Sequence, residues 1–246
     1  MNLTDDQTSH SSFSKIVDVC GLAIILIGIA AFTGWLIGLS EWTRVTSGYI
    51  PMAMDTSLTF IVFGMLLRTL RYHTSKLGTS SKVVLAGLIT IYGLLKALEF
   101  LLGVELTFAS TLFPAHEYLG QHLTNRMSPL TGGLFFVSGV ATITAHSDYN
   151  PLARKIVGWL GALVFSVGLL LVFGYVLNQP FLYHANLRPI SVPGSVAFSF
   201  LGLGLMAHAG SDSLLGPLFE PSTKGRALRL FLPLIVLTCF AQQLLF

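Results

Sequence analysis

The chain has 246 residues, of which 53% are hydrophobic and only 10% charged, with a formal net charge of +3 and a pI near 9.0. Soluble domains carry about a quarter charged residues, so this composition excludes one. The basic excess lies in short stretches between apolar runs rather than in a stripe interleaved with aromatics, which excludes nucleic acid as a partner.

The first fifteen residues are polar. A helix needs roughly 20 mostly apolar residues to cross about 30 Å of hydrocarbon, and seven runs qualify as candidates: 16–39, 52–70, 83–102, 129–145, 156–177, 192–209 and 228–246. The expected fold is an all-α integral membrane protein in which 16–246 form one transmembrane helical domain. The first run is longer than the core of a signal peptide and has no convincing small-residue cleavage site, so it reads as an uncleaved anchor. Cys20 and Cys239 both fall inside expected spans and read as packing residues.

Three stretches resemble one another: Met52-Ala53-Met54-Asp55-Thr56, Met127-Ser128-Pro129-Leu130-Thr131 and Ser191-Val192-Pro193-Gly194-Ser195, each opening a run rich in Phe, Leu and Gly. Gly64 and Gly139 fall eight residues after the threonines of the first two copies, and Gly202 and Gly204 flank that position in the third. The repeating unit is helix, loop, Pro-containing cap, helix, which gives three hairpins over about 16–71, 82–146 and 155–210 with one further span at 228–246. Pro51, Pro129 and Pro193 sit at or just before a first helical turn, where a missing N–H costs nothing, and Thr56, Thr131 and Ser195 can bond back to that turn. Met52 and Met127 complete the motif. A helix start explains it, and a ligand-contacting role for the hydroxyls is the other reading. Gly34-x-x-x-Gly38, Gly132-Gly133 and Gly202-x-Gly204 are expected to let backbones approach closely.

Lys and Arg are retained on the cytoplasmic side of short loops. Lys15, Arg68, Arg71, Lys76, Lys82, Arg154, Lys155, Lys224, Arg226 and Arg229 share one side, and Arg44, Arg126 and Arg188 the other. The amino terminus is therefore expected in the cytoplasm, with the three Pro-capped loops and the carboxyl terminus outside.

Tyr92, Lys96, Glu99 and Gly103 follow the spacing of one helical face in the third span. A charge at this depth costs about 2.5–3.5 kcal/mol on the insertion scale, so the two ionisable groups are either a mutually neutralising pair or a ligand or signal site. Asp55 at the start of the second span is favoured by the helix dipole, but with Lys96 and Glu99 it also suggests an outward pocket, to which Tyr175 and Asn178 would add polar groups. The long second outer loop holds His116, Glu117 and His122, whose spacing matches no known metal pattern. No metal and no cofactor is expected.

No hydrolase elbow, phosphate loop, zincin motif or nicotinamide fingerprint occurs, so the chain is not expected to be an enzyme. Repeats and polar residues in spans are also signs of a transporter, yet here three hairpins replace two halves, and the polar groups lie near the outer ends rather than at mid-depth.

Met127-Ser-Pro-x-Thr131, Pro51-Met52-Ala-x-x-Thr56, Gly103-Val-Glu-Leu106 and Gly225-Arg226-x-x-Arg229-x-x-x-Pro233 together resemble the multi-span amino-terminal sensor regions of bacterial histidine kinases and diguanylate cyclases. The resemblance covers roughly 16–246. It implies an input module in the bacterial inner membrane that responds at the outer half of the bilayer. Such regions continue into cytoplasmic output domains, whereas this sequence ends at Phe246, so the resemblance implies either that the output region has been lost or that the module acts through a signalling protein in trans; the expected partners are the bilayer and such a protein, with self-association into a homo-oligomer a further option. The rival expectation is a structural or assembly subunit of a membrane complex.

Overall fold

The computed structural model describes residues 3–39, 43, 49–71, 78–104, 106–107, 109–112, 118–119, 122–123, 125–147, 150–177 and 189–213. Six long helices dominate: α1 (Leu3–Leu36), α2 (Met54–Arg71), α3 (Thr79–Leu102), α5 (Pro129–Ser147), α6 (Pro151–Val176) and α7 (Val192–Ala209). The single turn α4 (Ala109–Leu112) and a minimal antiparallel ladder of β1 (Tyr118–Leu119) with β2 (His122–Leu123) lie between α3 and α5. A 3-10 turn, Gly210–Asp212, follows α7.

Six of the expected spans coincide with helices, and 228–246 lies outside the described residues. Four helices are long and apolar enough to cross a bilayer: Ser12–Leu36 within α1, and all of α3, α6 and α7. In α2 Asp55, Arg68 and Arg71 dilute the apolar run, and in α5 Gly, Ser and Thr do. Among the described residues the fold is thus helical apart from that short ladder, and its four membrane-compatible helices make the chain a multi-pass membrane protein. One boundary differs from expectation: α1 starts at Leu3, inside the polar amino-terminal segment, because 3–15 contain neither Gly nor Pro to stop the helix.

Capping chemistry fixes several helix ends. Asn150 accepts a hydrogen bond from Leu152 N at 3.1 Å ahead of Pro151, and Ser191 Oγ accepts from Gly194 N at 3.3 Å ahead of Pro193. Gly103 closes α3 in the left-handed conformation (φ 66°) and donates to Glu99 O at 3.0 Å. The amides of Ser57, Gly132 and Ser195 donate to Ala53 O, Ser128 O and Ser191 O at 3.0, 3.0 and 2.9 Å, which starts α2, α5 and α7 alike.

The helices pack in sequential pairs, α1 on α2, α3 on α5 and α6 on α7. Each pair crosses at small residues. A Cβ on Gly93 would lie 2.8 Å from Gly132 O, one on Gly132 2.8 Å from Gly93 O, one on Gly64 2.7 Å from Gly21 O, and one on Gly161 3.0 Å from Gly202 O. In lipid, where apolar side chains gain nothing by leaving their solvent, such close backbone contact is what drives association. A Cβ on Gly204 would meet the side chains of Leu67 and Cys20 rather than a backbone, whereas Gly202 and Gly132 behave as expected from the sequence. Gly38 and Gly133 do not: both face open space, and Gly38 (φ 72°) follows the end of α1 in the left-handed conformation.

Between pairs, α1 runs along α7 and α6 along α5, while α3 makes only slight contact with α2. The pairs therefore form a ring with α2, α5 and α7 inside. Phe60, Phe135 and Phe198, one from each inner helix, are fully buried with ring centroids 4.8, 4.8 and 5.0 Å apart, and Phe63 stacks on Phe135. The exposed apolar side chains lie mainly on the outer helices, such as Val19, Leu22 and Leu26 on α1, Val84, Leu88 and Ile91 on α3, and Ile156, Trp159 and Leu163 on α6. Stripes of this size mark a lipid-facing surface.

Replacing Gly132 with Leu should drive a side chain into the α3 backbone and lower the melting temperature in detergent, at a cost above the roughly 1–3 kcal/mol of ordinary overpacking. Gly87→Leu, which meets nothing within 4 Å, should leave it almost unchanged. Equal melting of the two variants would contradict the close-packed crossing.

Candidate functional site

Asp55, in the first turn of α2, is 7% exposed, and its carboxylate accepts three hydrogen bonds. Its Oδ1 accepts from Thr56 N at 2.7 Å and from Thr56 Oγ1 at 3.3 Å, and its Oδ2 accepts from the Tyr92 hydroxyl of α3 at 2.7 Å. The helix-start role expected from the sequence is thus present, with a bond to a second hairpin added. Asn125, at the positive φ of 59° before α5, accepts from Met54 N at 2.9 Å and so ties the second outer loop to the same helix start.

One turn beyond Tyr92, Lys96 Nζ lies 5.9 Å from the Tyr92 ring centroid and 2.9 Å from Glu99 Oε2. The Lys96 and Glu99 side chains are only 12% and 16% exposed. The other oxygen of Glu99 accepts from Leu106 N, Thr107 N and Thr107 Oγ1 at 3.0, 2.8 and 2.7 Å. Asp55, Tyr92, Lys96 and Glu99 therefore form a continuous polar line from α2 across α3 to the loop that follows it. The 106–107 contacts were not foreseen, although a Thr shortly after a glycine-capped helix is a residue type that bonds back to a nearby acid.

The line holds two carboxylates and one ammonium. If all three are ionised, one negative charge is left over, which is offset by the hydrogen bonds to Asp55 and Glu99, each contributing about 1.5–3 kcal/mol, and for Asp55 by the dipole of α2. Lys96 lies between the two acids and can serve either.

The structure does not bring Tyr175 into this line. Its hydroxyl donates to Ile190 O just before α7, and its ring meets Tyr49 edge-on at 4.9 Å. Trp35 Nε1 makes the corresponding bond to Met52 O at 2.6 Å. Asn178, His116 and Glu117 lie outside the described residues, and His122 stands opposite Leu119 in the ladder. Among the described residues no three His, Cys, Asp or Glu side chains are grouped to hold a metal.

The helix-start residues are buried: Met52, Thr56, Met127, Thr131 and Ser195 are each at most 5% exposed, and Ser195 Oγ donates to Ser191 O at 3.0 Å. Pro51 precedes α2, and Pro129 and Pro193 occupy the first turns of α5 and α7. At the opposite end of the bundle Arg68 pairs with Asp18 at 2.8 Å, and Thr69 Oγ1 lies 3.1 Å from His146 Nε2.

No family model matches the sequence, and neither a search of curated proteins nor one of solved structures returns a match.

Lys96→Met should leave the Glu99 carboxylate with its loop donors alone and cost on the order of 3 kcal/mol. Adding Glu99→Gln should recover most of that loss. Thermal unfolding in nanodiscs reads both, and a double variant no more stable than Lys96→Met would show that the two side chains are not coupled.

Proposed function

We propose that this chain is a membrane-embedded input module of a bacterial signalling system, acting through a separate partner, with its polar site responding at the outer half of the inner membrane. In this reading the bundle is a triplicated hairpin with pseudo-threefold symmetry, followed by a seventh span at 228–246. The Lys and Arg bias supports a cytoplasmic amino terminus and an external carboxyl terminus.

The triplication rests on several independent correspondences. Aligning the three amide bonds that start α2, α5 and α7 places Gly64, Gly139 and Gly202 at one position, and Phe60, Phe135 and Phe198 at another. Aligning the outer helices on their buried faces places Gly28, Gly93 and Gly168 together, Gly21, Ala86 and Gly161 together, and the left-handed Gly38 and Gly103 together. This register moves the third copy by one residue from that read in the sequence: Gly194, not Ser195, corresponds to Thr56 and Thr131. The start of α7 explains the slip, because Pro193 there stands at the position of Asp55 rather than of Pro129.

One observation carries the functional reading. The interface between one hairpin's inner helix and the next hairpin's outer helix occurs three times. Where the α2–α3 interface has Asp55, Tyr92, Lys96 and Glu99, the α7–α1 interface has Pro193, Ile27, Ala31 and Gly34, and the α5–α6 interface has Leu130, Val167, Leu171 and Gly174. At the other two interfaces the corresponding positions carry no ionisable group, so the repeat as such does not call for charges there. A costly feature beyond what the repeat needs is a mark of function. The axis, filled by the three buried Phe rings, supports a sensor over a transporter because it leaves no central path.

The test is gentle purification from the native membrane with mass spectrometry of bound proteins, followed by assay of the partner's output. A stoichiometric kinase or cyclase whose output changes in the Lys96→Met/Glu99→Gln variant is the expected result. Unchanged output with the partner retained would make the chain an assembly subunit, and solute flux in vesicles would make it a transporter.

A further inference from the structure

We propose that Asp55 and Tyr92 form a proton-operated clasp between the first and second hairpins: ionised Asp55 holds α3 against α2, and proton uptake from the outer side releases it. The inference rests on the reading of this site as responsive, and not on the identity of the partner.

Among the described residues, little else joins these two helices. At the α7–α1 interface Gly204 lets Cys20 approach, with a Cβ on Gly204 falling 3.2 Å from Cys20 Cβ, and the helices run closely together. At the corresponding positions of α2 and α3 stand Leu66 and Leu85, with no glycine to admit the neighbouring helix. Contact there is slight, so the bond from Tyr92 to Asp55 is a large share of what links α3 to α2. Asn125 adds a link from the segment leading into α5.

A hydrogen bond to a carboxylate is about twice as strong as one between neutral groups, so its strength depends on one proton. When that proton adds to the Asp55 carboxylate, Tyr92 loses its charged acceptor and the surplus negative charge of the site disappears. Among the described residues, the titratable groups on the surrounding elements are few. Tyr92, Lys96 and Glu99 stand on α3, Arg126 lies in the segment before α5, and Tyr49 precedes α2; in α5 and α7 the only ones, His146 and His208, lie at the opposite end, as do Asp18 of α1 and Arg68 of α2. Glu99 is engaged by Lys96 and by three donors of residues 106 and 107, which leaves Asp55, with a single α3 donor, as the acid whose ionisation alters the α2–α3 contact.

Spin labels at Leu36→Cys on α1 and Leu101→Cys on α3, both lipid-facing at 64% and 74% exposure, report the separation of the two hairpins at their outer ends. The experiment uses the full chain with Cys20→Ala and Cys239→Ala in nanodiscs, with double electron–electron resonance recorded from pH 8 to pH 5. The wild-type residues at the clasp should give a reversible change from a short to a long distance, with the ratio of the two changing by no more than about tenfold per pH unit, as for one proton. Asp55→Asn and, independently, Tyr92→Phe should show the long distance at every pH. A distribution insensitive to pH, or a wild-type titration in Tyr92→Phe, would overturn the clasp while leaving the partner-output test of the input module standing. A response to replacement of sodium by choline at fixed pH, without a response to pH, would also overturn it and give the site to a metal cation.

Discussion

Backbone-to-backbone approach at small residues is the constraint on which the remaining architecture depends. In hydrocarbon, helices gain little by hiding Leu or Ile from lipid, so contact density has to come from surfaces that fit without side chains between them. Gly93 against Gly132 and Gly161 against Gly202 provide this within the second and third hairpins, and Gly21 with Gly64 does so in the first. Because each crossing is set by residues seven apart on both helices, as in Gly21 and Gly28 or Gly132 and Gly139, the helices meet along a seam rather than at a point. That seam turns α2, α5 and α7 inward, where their phenylalanines meet at the centre.

The same principle accounts for where the bundle is weak. Two of the three contacts between hairpins are close, and the third, between α2 and α3, is slight and spanned by polar side chains. A polar bridge is directional and can be made or broken by a single charge, whereas interdigitated apolar surfaces respond to little short of unfolding. The pattern thus separates two tasks, rigid assembly by small residues and adjustable contact by an acid and a phenol.

Much of this was legible in the sequence. Apolar runs of sufficient length locate all six described helices because backbone hydrogen bonds must be satisfied inside a span, and 192–209 agrees with α7 at both ends. The Lys96–Glu99 pair follows from helical spacing alone. The seam glycines were harder to see. Gly64, Gly139 and Gly202 appeared in the repeat, but Gly28, Gly93 and Gly168 lie in outer helices of otherwise dissimilar sequence, and only their common depth relates them. Pairing of Asp55 with Tyr92, and the separate engagement of Tyr175, depend on which hairpin neighbours which around the ring, an order that no local pattern encodes.

The aromatic braces at the outer ends carry one more consequence. Trp35 and Tyr175 each fasten the end of an outer helix to a carbonyl just before the inner helix of the same hairpin, Met52 O and Ile190 O. Near the end of α3 the aromatic residue is Phe100, a ring with no proton to donate, and it is 48% exposed. The end of α3 is instead anchored to residues 106 and 107 through Glu99. The end of α3 is therefore tied to the segment that follows it, so that a movement of α3 would be shared by residues 106 and 107.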